Sequence, residues 1–325
     1  MKKILLITTG GTIASSDSGE GFLPTASGDV LLAHTPEVKE FCDIDILPIM
    51  QIDSTNMTPD LMAKMAKTIA QYYTQYDGFV ITHGTDTMAY SASLLSYMLT
   101  NLAKPVILTG SQIAIGEDNS DAPSNMRHAF MAAADDITGV FIAFGGQLIL
   151  GTSSAKTKTH SFDGFESINK DYIAHFEQGK ILYTHYGQQF KGKAVAGEFC
   201  CKAQYSDKVA IIKLSPAMPK EIIEDASKYC DAIVIEGYGM GGVPFSEPNL
   251  QQAVMEAQAG GTLMVIASQC LYEAVDLSVY EVGVKMADAD ILSAGDMTTE
   301  AVVTKLMWAF GNSQNTQQAR ALFLA

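Results

Sequence analysis

Two loops in this 325-residue sequence set hydroxyl side chains beside glycines, as nucleophilic chemistry requires. The first is Thr9-Gly10-Gly11-Thr12-Ile13-Ala14, directly after the apolar run Lys3 to Thr8. The second is His83-Gly84-Thr85-Asp86-Thr87-Met88, directly after Phe79-Val80-Ile81-Thr82. In open parallel sheets ligands gather at the carboxyl ends of the strands, so polar residues just past a strand are the ones placed to meet them. Glycine there lets a ligand approach the backbone and exposes N–H groups to developing negative charge. Either loop alone reads as a tight strand-to-helix turn. Two of them, both rich in hydroxyls and one carrying Asp86, point to a reaction centre.

A threonine hydroxyl is a poor nucleophile until something takes its proton. Lysine can do so when burial or neighbouring charge holds it partly neutral, and a carboxylate can position it. The stretch Ser154-Ala155-Lys156-Thr157-Lys158-Thr159 offers Lys156 and Lys158, and the residue types alone do not choose between them. Rival chemistries lack their signatures: there is no GxGxxG after the first strand, no GxxxxGK[ST], no HExxH and no GxSxG. Of six histidines only His83 falls in a candidate loop, and without a partner pattern it reads as structural rather than as a metal ligand.

These loops need strands and helices to hold them. Apolar runs of strand length alternate with amphipathic helical patterns, which predicts an α/β fold with a parallel sheet covered by helices. Lys3 to Thr8 is the first strand. Thr58-Pro59-Asp60 is a helix start, with Thr58 as cap and Pro59 in the first turn, and Leu61, Met65 and Ile69 recur along it. Phe79 to Thr82, Val106 to Thr109 and Val140 to Phe144 read as further strands, with helices from Met88 to Leu99 and near Met126 to Ala134. Residues 150–208 break this rhythm with Gly, Thr, His and Lys. A second, smaller α/β unit follows: strand Val209 to Ile212, helix Lys220 to Tyr229, strand Ala232 to Ile235, helix Leu250 to Ala259, strand Thr262 to Ala267 and helix Thr299 to Phe310. The organisation expected is therefore a larger domain over 1–190, a linker over 191–208 and a C-terminal domain over 209–325.

The composition narrows the function. At 47% hydrophobic and 18% charged the chain can bury a sizeable core. A net charge of -15 with scattered Lys and Arg argues against a nucleic-acid partner. The amino-terminal apolar run is too short for a signal peptide, and no stretch approaches the ~18 apolar residues of a membrane span. Five cysteines without a CxxC pair read as reduced thiols in the cytoplasm.

The two loops, in this order and setting, resemble the paired signatures of the bacterial-type L-asparaginases. The likeness continues through Asp53-Ser54-Thr55-Asn56-Met57, Thr109-Gly110-Ser111-Gln112, Gly237-Tyr238-Gly239 and Gly295-Asp296-Met297-Thr298, and is greatest to the cytoplasmic, type I branch. The resemblance implies an amidohydrolase that converts asparagine to aspartate and ammonia, needing no metal or organic cofactor. Thr12 would be the nucleophile and form an acyl-enzyme, under a flexible loop that closes over the substrate. Thr85, Asp86 and Lys158 would form the second catalytic cluster, the family pattern selecting Lys158 over Lys156. Ser54 would hold the substrate α-carboxylate and Asp86 its α-ammonium, with Asp53 and Thr55 flanking the pocket. Backbone N–H groups near Gly11 and Thr85 would stabilise the oxyanion. A loop tyrosine of the family falls here on Phe22, and an acid contributed by a neighbouring subunit falls in the region of Glu281, implying a homodimer or homotetramer. Other classes are a tRNA-linked amidotransferase component, expected to carry an extra amino-terminal domain, and a silent binder, expected to have lost Thr12, Thr85 or the lysine.

Overall fold

The computed structural model describes residues 1–17, 22–24, 27–193 and 195–325. It divides into two compact units, Met1–Ala203 and Gln204–Ala325, the division falling within the 191–208 stretch.

The first unit is built on eight strands: β1 (Lys2–Gly10), β2 (Cys42–Ile52), β3 (Gly78–Thr82), β4 (Pro105–Thr109), β5 (Gly139–Phe144), β6 (Gln147–Leu150), β7 (Ala174–Glu177) and β8 (Lys180–Tyr183). Their order across the sheet is β8-β7-β6-β5-β4-β3-β1-β2. The five from β2 to β5 run parallel, and β6 to β8 extend the sheet antiparallel. Every residue of β3 and β4 is buried, as expected of unbroken apolar runs covered on both faces. Helix α1 (Pro59–Tyr72) starts where Thr58 accepts a hydrogen bond from the Leu61 amide at 3.4 Å. Its core face is Met62, Met65, Ala66 and Ile69, so Leu61 stands at the margin rather than on the buried stripe. Helices α2 (Met88–Met98) and α3 (Ala122–Ala133) complete the cover.

Two parts of this unit depart from the expected pattern. β2 is an edge strand of alternating burial whose Pro48 marks it as a poor strand, and an edge is where proline is tolerated. Residues 150–208, expected to be irregular, contain two hairpins. One joins β7 to β8 through Gln178 and Gly179, both at positive φ (47° and 74°). The other pairs Ser154–Lys156 with Phe165–Ser167. Strands of three or four residues are too short for a periodic signal. Cys200–Cys201 pairs with Leu99–Thr100, which ties most of the expected linker to the first unit.

The second unit holds a parallel sheet of β9 (Val209–Lys213), β10 (Ala232–Gly237), β11 (Leu263–Ser268) and β12 (Leu292–Ser293), in that order. Along β10, Ile233 and Ile235 enter one apolar cluster while Ala232 and Val234 enter another, so both faces of the sheet are covered. The helices are α4 (Glu221–Ala226), α5 (Leu250–Ala259), α6 (Glu281–Asp288), α7 (Thr299–Gly311) and α8 (Thr316–Leu324). Neither α6 nor α8 is among the expected helices; Asn315 caps α8 by accepting from the Gln318 amide at 2.9 Å. Among the described residues no helix is long and apolar enough to cross a membrane.

Candidate active site

Four neighbouring strands, β2, β1, β3 and β4, point the same way and so open their carboxyl ends on one edge of the sheet. β1 leads into Thr12, β2 into Ser54, β3 into Thr85 and β4 into Ser111. The loops after β1 and β3 touch backbone to backbone. A β-carbon at Gly11 would overlap the Gly84 nitrogen and lie 2.5 Å from its Cα, and one at Gly10 would lie 2.5 Å from the Ile52 N and O. Both glycines also sit at positive φ, 102° for Gly10 and 81° for Gly11, which disfavours any side chain there. The Thr9 hydroxyl donates to the Thr82 carbonyl at 2.7 Å, linking the two loops from beneath.

Thr12 opens a one-turn 3-10 helix (Thr12–Ala14) and is half-buried, while Ile13 and Ala14 enter the core. The Gly11 amide, expected to face an oxyanion, donates instead to the Ile52 carbonyl at 2.9 Å. That bond continues the pairing of β1 with β2, so of the N–H groups near Gly11 its own is engaged in the sheet. Residues 18–21 and 25–26 of the following loop lie outside the described residues. The Phe22 backbone pairs with Asp17, and its side chain lies outside the described part of the molecule.

Ser54 is buried and begins a second one-turn 3-10 helix (Ser54–Asn56). Asp53 caps that turn, one carboxylate oxygen accepting from both the Thr55 amide and the Thr55 hydroxyl at 2.8 Å. Asp53 and Thr55 thus hold each other. A β-carbon at Gly84 would lie 2.5 Å from Ser54 Oγ, so this turn also rests on a glycine. The Asp86 amide donates to Ser54 Oγ at 3.3 Å, and the Thr87 hydroxyl donates to the Ser54 carbonyl at 2.8 Å. Ser111 turns onto its own loop, donating to the Ile113 carbonyl at 2.6 Å.

The lysine beside this cluster is Lys156, not Lys158. Lys156 Nζ lies 2.8 Å from Thr85 Oγ1 and 2.7 Å from Asp86 Oδ1. Lys158 pairs with Asp163, and the carboxylate raises its pKa above the ordinary lysine value. The backbone explains the difference. Lys156 ends the strand Ser154–Lys156 in register with Phe165, whereas the amides of Thr157 and Lys158 both reach the Gly164 carbonyl. That double contact ends the alternation of faces, so Lys158 turns toward its own hairpin loop. Lys156 is a polar residue at a strand end, the same signal that marked Thr12 and Thr85, but its strand is only three residues long.

His83 is wholly buried, and burial pushes its imidazole down to about 4, so it is neutral at ordinary pH. Glu281 begins α6 and is largely exposed, paired with Lys285 at 2.9 Å. Among the described residues no grouping of three or more His, Cys, Asp or Glu could hold a metal ion.

Residues 3–188 match the family model "Asparaginase, N-terminal", and residues 208–323 match "Glutaminase/Asparaginase C-terminal domain". The chain is 37% identical to an L-asparaginase of Thermococcus kodakarensis over 98% of its own length and 96% of the relative's. The solved structure of the thermostable L-asparaginase from that organism superposes with a TM-score of 0.92, at 37% identity, covering 99% of this chain and 96% of the other. It is also 33% identical to L-asparaginase 1 of Escherichia coli K12, over 98% of this chain and 95% of that one. With both halves matched by family models and the four strand-end loops brought to one edge, the chain belongs to the asparaginase family.

Proposed function

We propose that this protein hydrolyses the side-chain amide of L-asparagine, with Thr12 as nucleophile and Thr85, Asp86 and Lys156 as the supporting cluster. The observation that carries this reading is Lys156 Nζ bridging Thr85 Oγ1 and Asp86 Oδ1, at the loop against which the Thr12 loop rests. A hydroxyl has one proton and two lone pairs. With Lys156 occupying a lone pair of Thr85, that hydroxyl keeps its proton and second lone pair for the reacting groups.

Thr12 Oγ bonds to the amide carbon and its proton passes, through the Thr85–Lys156 pair, to the departing nitrogen. The C–N bond breaks and ammonia leaves a β-aspartyl ester on Thr12. Water then attacks that ester, returns a proton to Thr12 Oγ and releases aspartate. Ser54 receives the α-carboxylate: its Oγ accepts from the Asp86 amide, leaving its own O–H to donate. Asp86 holds Lys156 through one oxygen and offers the other to the α-ammonium. The Asp53–Thr55 pair fixes the turn that carries Ser54 rather than touching substrate.

We place the enzyme in the cytoplasm as a homo-oligomer whose site is completed by a second copy of the chain. Support for the first is the five cysteines, all free. Support for the second is the exposed apolar side chains on the loops of the second unit, among them Phe245, Tyr272, Val279 and Tyr280. Phe245 and Tyr280 line a concavity of 420 Å³ together with Tyr238, Met240, Val243 and Leu277.

Three measurements test these statements. The purified protein is expected to release ammonia from asparagine unaided, with kcat/KM about 10²-fold above that for glutamine, because one methylene displaces the amide carbon from a fixed nucleophile. Equal values for the two amides would overturn the assignment of substrate. Lys156→Met is expected to lower kcat by about 10³-fold or more, a barrier increase of roughly 4 kcal/mol, while Lys158→Met stays within about threefold. The reverse order would return the role to Lys158. Sedimentation is expected to give a dimer or larger assembly, with specific activity falling as it dissociates on dilution; a fully active monomer would show each site to be self-contained.

A further inference from the structure

Two buried polar side chains behind the site have no part in the scheme above. His83 follows β3, Ser91 lies on α2, and both are wholly inaccessible. The imidazole Nδ1 lies 2.7 Å from the Gly84 carbonyl oxygen, and Nε2 lies 2.8 Å from Ser91 Oγ. A carbonyl can only accept, so Nδ1 carries the proton and Nε2 accepts from the Ser91 hydroxyl. Hydrogen bonds therefore run in one direction, from α2 through the imidazole into the Gly84–Thr85 peptide. The neutrality that burial imposes is the state this tautomer requires.

The direction of that last bond decides what the other side of the peptide does. In a planar trans peptide the C=O and the N–H point opposite ways. With the Gly84 oxygen turned inward onto His83, the Thr85 N–H points away from His83. It belongs to the first turn of the 3-10 helix Thr85–Thr87, where an amide has no partner within the helix. Among the described residues none accepts from it. A hydrogen bond into the carbonyl also polarises the amide and strengthens its N–H as a donor. The peptide has little room to rotate: a β-carbon at Gly84 would lie 2.5 Å from Ser54 Oγ, and one at Gly110 would overlap the His83 carbonyl.

We propose that His83, held by Ser91, is a positioning residue that aims the Thr85 amide at the oxyanion formed when the substrate amide carbon becomes tetrahedral. This rests on the hydrolytic reading above and adds to it the device that orients the Thr85 donor. With the Gly11 amide engaged by Ile52, the Thr85 amide is a main-chain donor left to face the oxyanion. The contribution is made in the transition state, so it enters kcat rather than KM.

The test is steady-state kinetics on wild type, His83→Leu, His83→Asn and Ser91→Ala, with thermal midpoints measured alongside. Asparagine places an amide nitrogen where Nδ1 stands and can still donate to the Gly84 carbonyl. The expected result is a loss in kcat of about 10²-fold for His83→Leu with KM within a few-fold, the scale of losing one oxyanion donor. His83→Asn should recover most of that loss, and Ser91→Ala should lower kcat by several-fold through a looser imidazole. Should His83→Leu not fold, Ser91→Ala and His83→Asn carry the test, since a kcat unchanged in the first or as low as that of a Thr85 variant in the second would overturn the proposal. It is overturned equally if His83→Leu lowers only the thermal midpoint, or if its loss lies in KM. Wild-type turnover of asparagine is read separately, so failure of the hydrolytic reading would show there and not in the ratios between variants.

Discussion

The site depends on a contact between two stretches of backbone. β1 and β3 are neighbours in a parallel sheet, and each ends in a loop that must turn away from the sheet while lying against the other. Only residues without a β-carbon allow this: a side chain at Gly11 would collide with Gly84, and one at Gly84 with Ser54. The positive φ of Gly10 and Gly11 sharpens the exit from β1 and leaves Thr12 as the first side chain beyond the contact. The same constraint binds in the third loop, because Ser54 accepts from Asp86 and its carbonyl accepts from Thr87. Three one-turn 3-10 helices are thereby locked into one arrangement with few side chains between them. Close packing of this kind has no slack, so the positions of the three hydroxyls are set together.

Lys156 enters this arrangement from outside the parallel sheet. Its side chain retains 20% of its exposure and that of Asp86 retains 52%, so the ion pair adds little to stability. Its importance is geometric: it fixes a hydrogen-bond donor on Thr85 Oγ1. The hairpin that carries it is held by the Thr157 hydroxyl donating to Glu166 at 2.7 Å, by the Lys158–Asp163 pair at its loop and by Gln112 reaching the Ser161 carbonyl at 2.9 Å. Lys158 thus belongs to the loop of its own hairpin.

How far the sequence revealed this follows from the length of each element. β3 and β4, five-residue runs buried on both faces, are legible as strands, and the sheet brings the polar residues beyond β1 and β3 to one edge. α5 was read with its observed bounds because Asn249 caps it and an apolar face runs through it. β2 was not seen, since its Pro48 and its alternating Asp and Ile suit an edge that only the assembled sheet defines. The Lys156 hairpin was not seen for a related reason. Three-residue strands gain their structure from cross-strand partners, so the choice between two lysines two positions apart rests on the family pattern, whereas the structure sets Lys156 beside Thr85 and Asp86. The engagement of the Gly11 amide by Ile52 was also invisible, because it requires knowing that β2 lies beside β1.

The central claim is that Thr12, and not Thr85, carries the acyl group. The most direct measurement is acid quenching of a Thr85→Val variant during turnover of asparagine, followed by peptide mapping by mass spectrometry alongside the wild type. Thr85 must also take the proton of the water that attacks the ester, so an ester that forms slowly in this variant should hydrolyse more slowly still, and the account predicts a β-aspartyl group on the peptide containing Thr12. An aspartyl group on the peptide containing Thr85 in the wild type, with none on the Thr12 peptide of either protein, would contradict it.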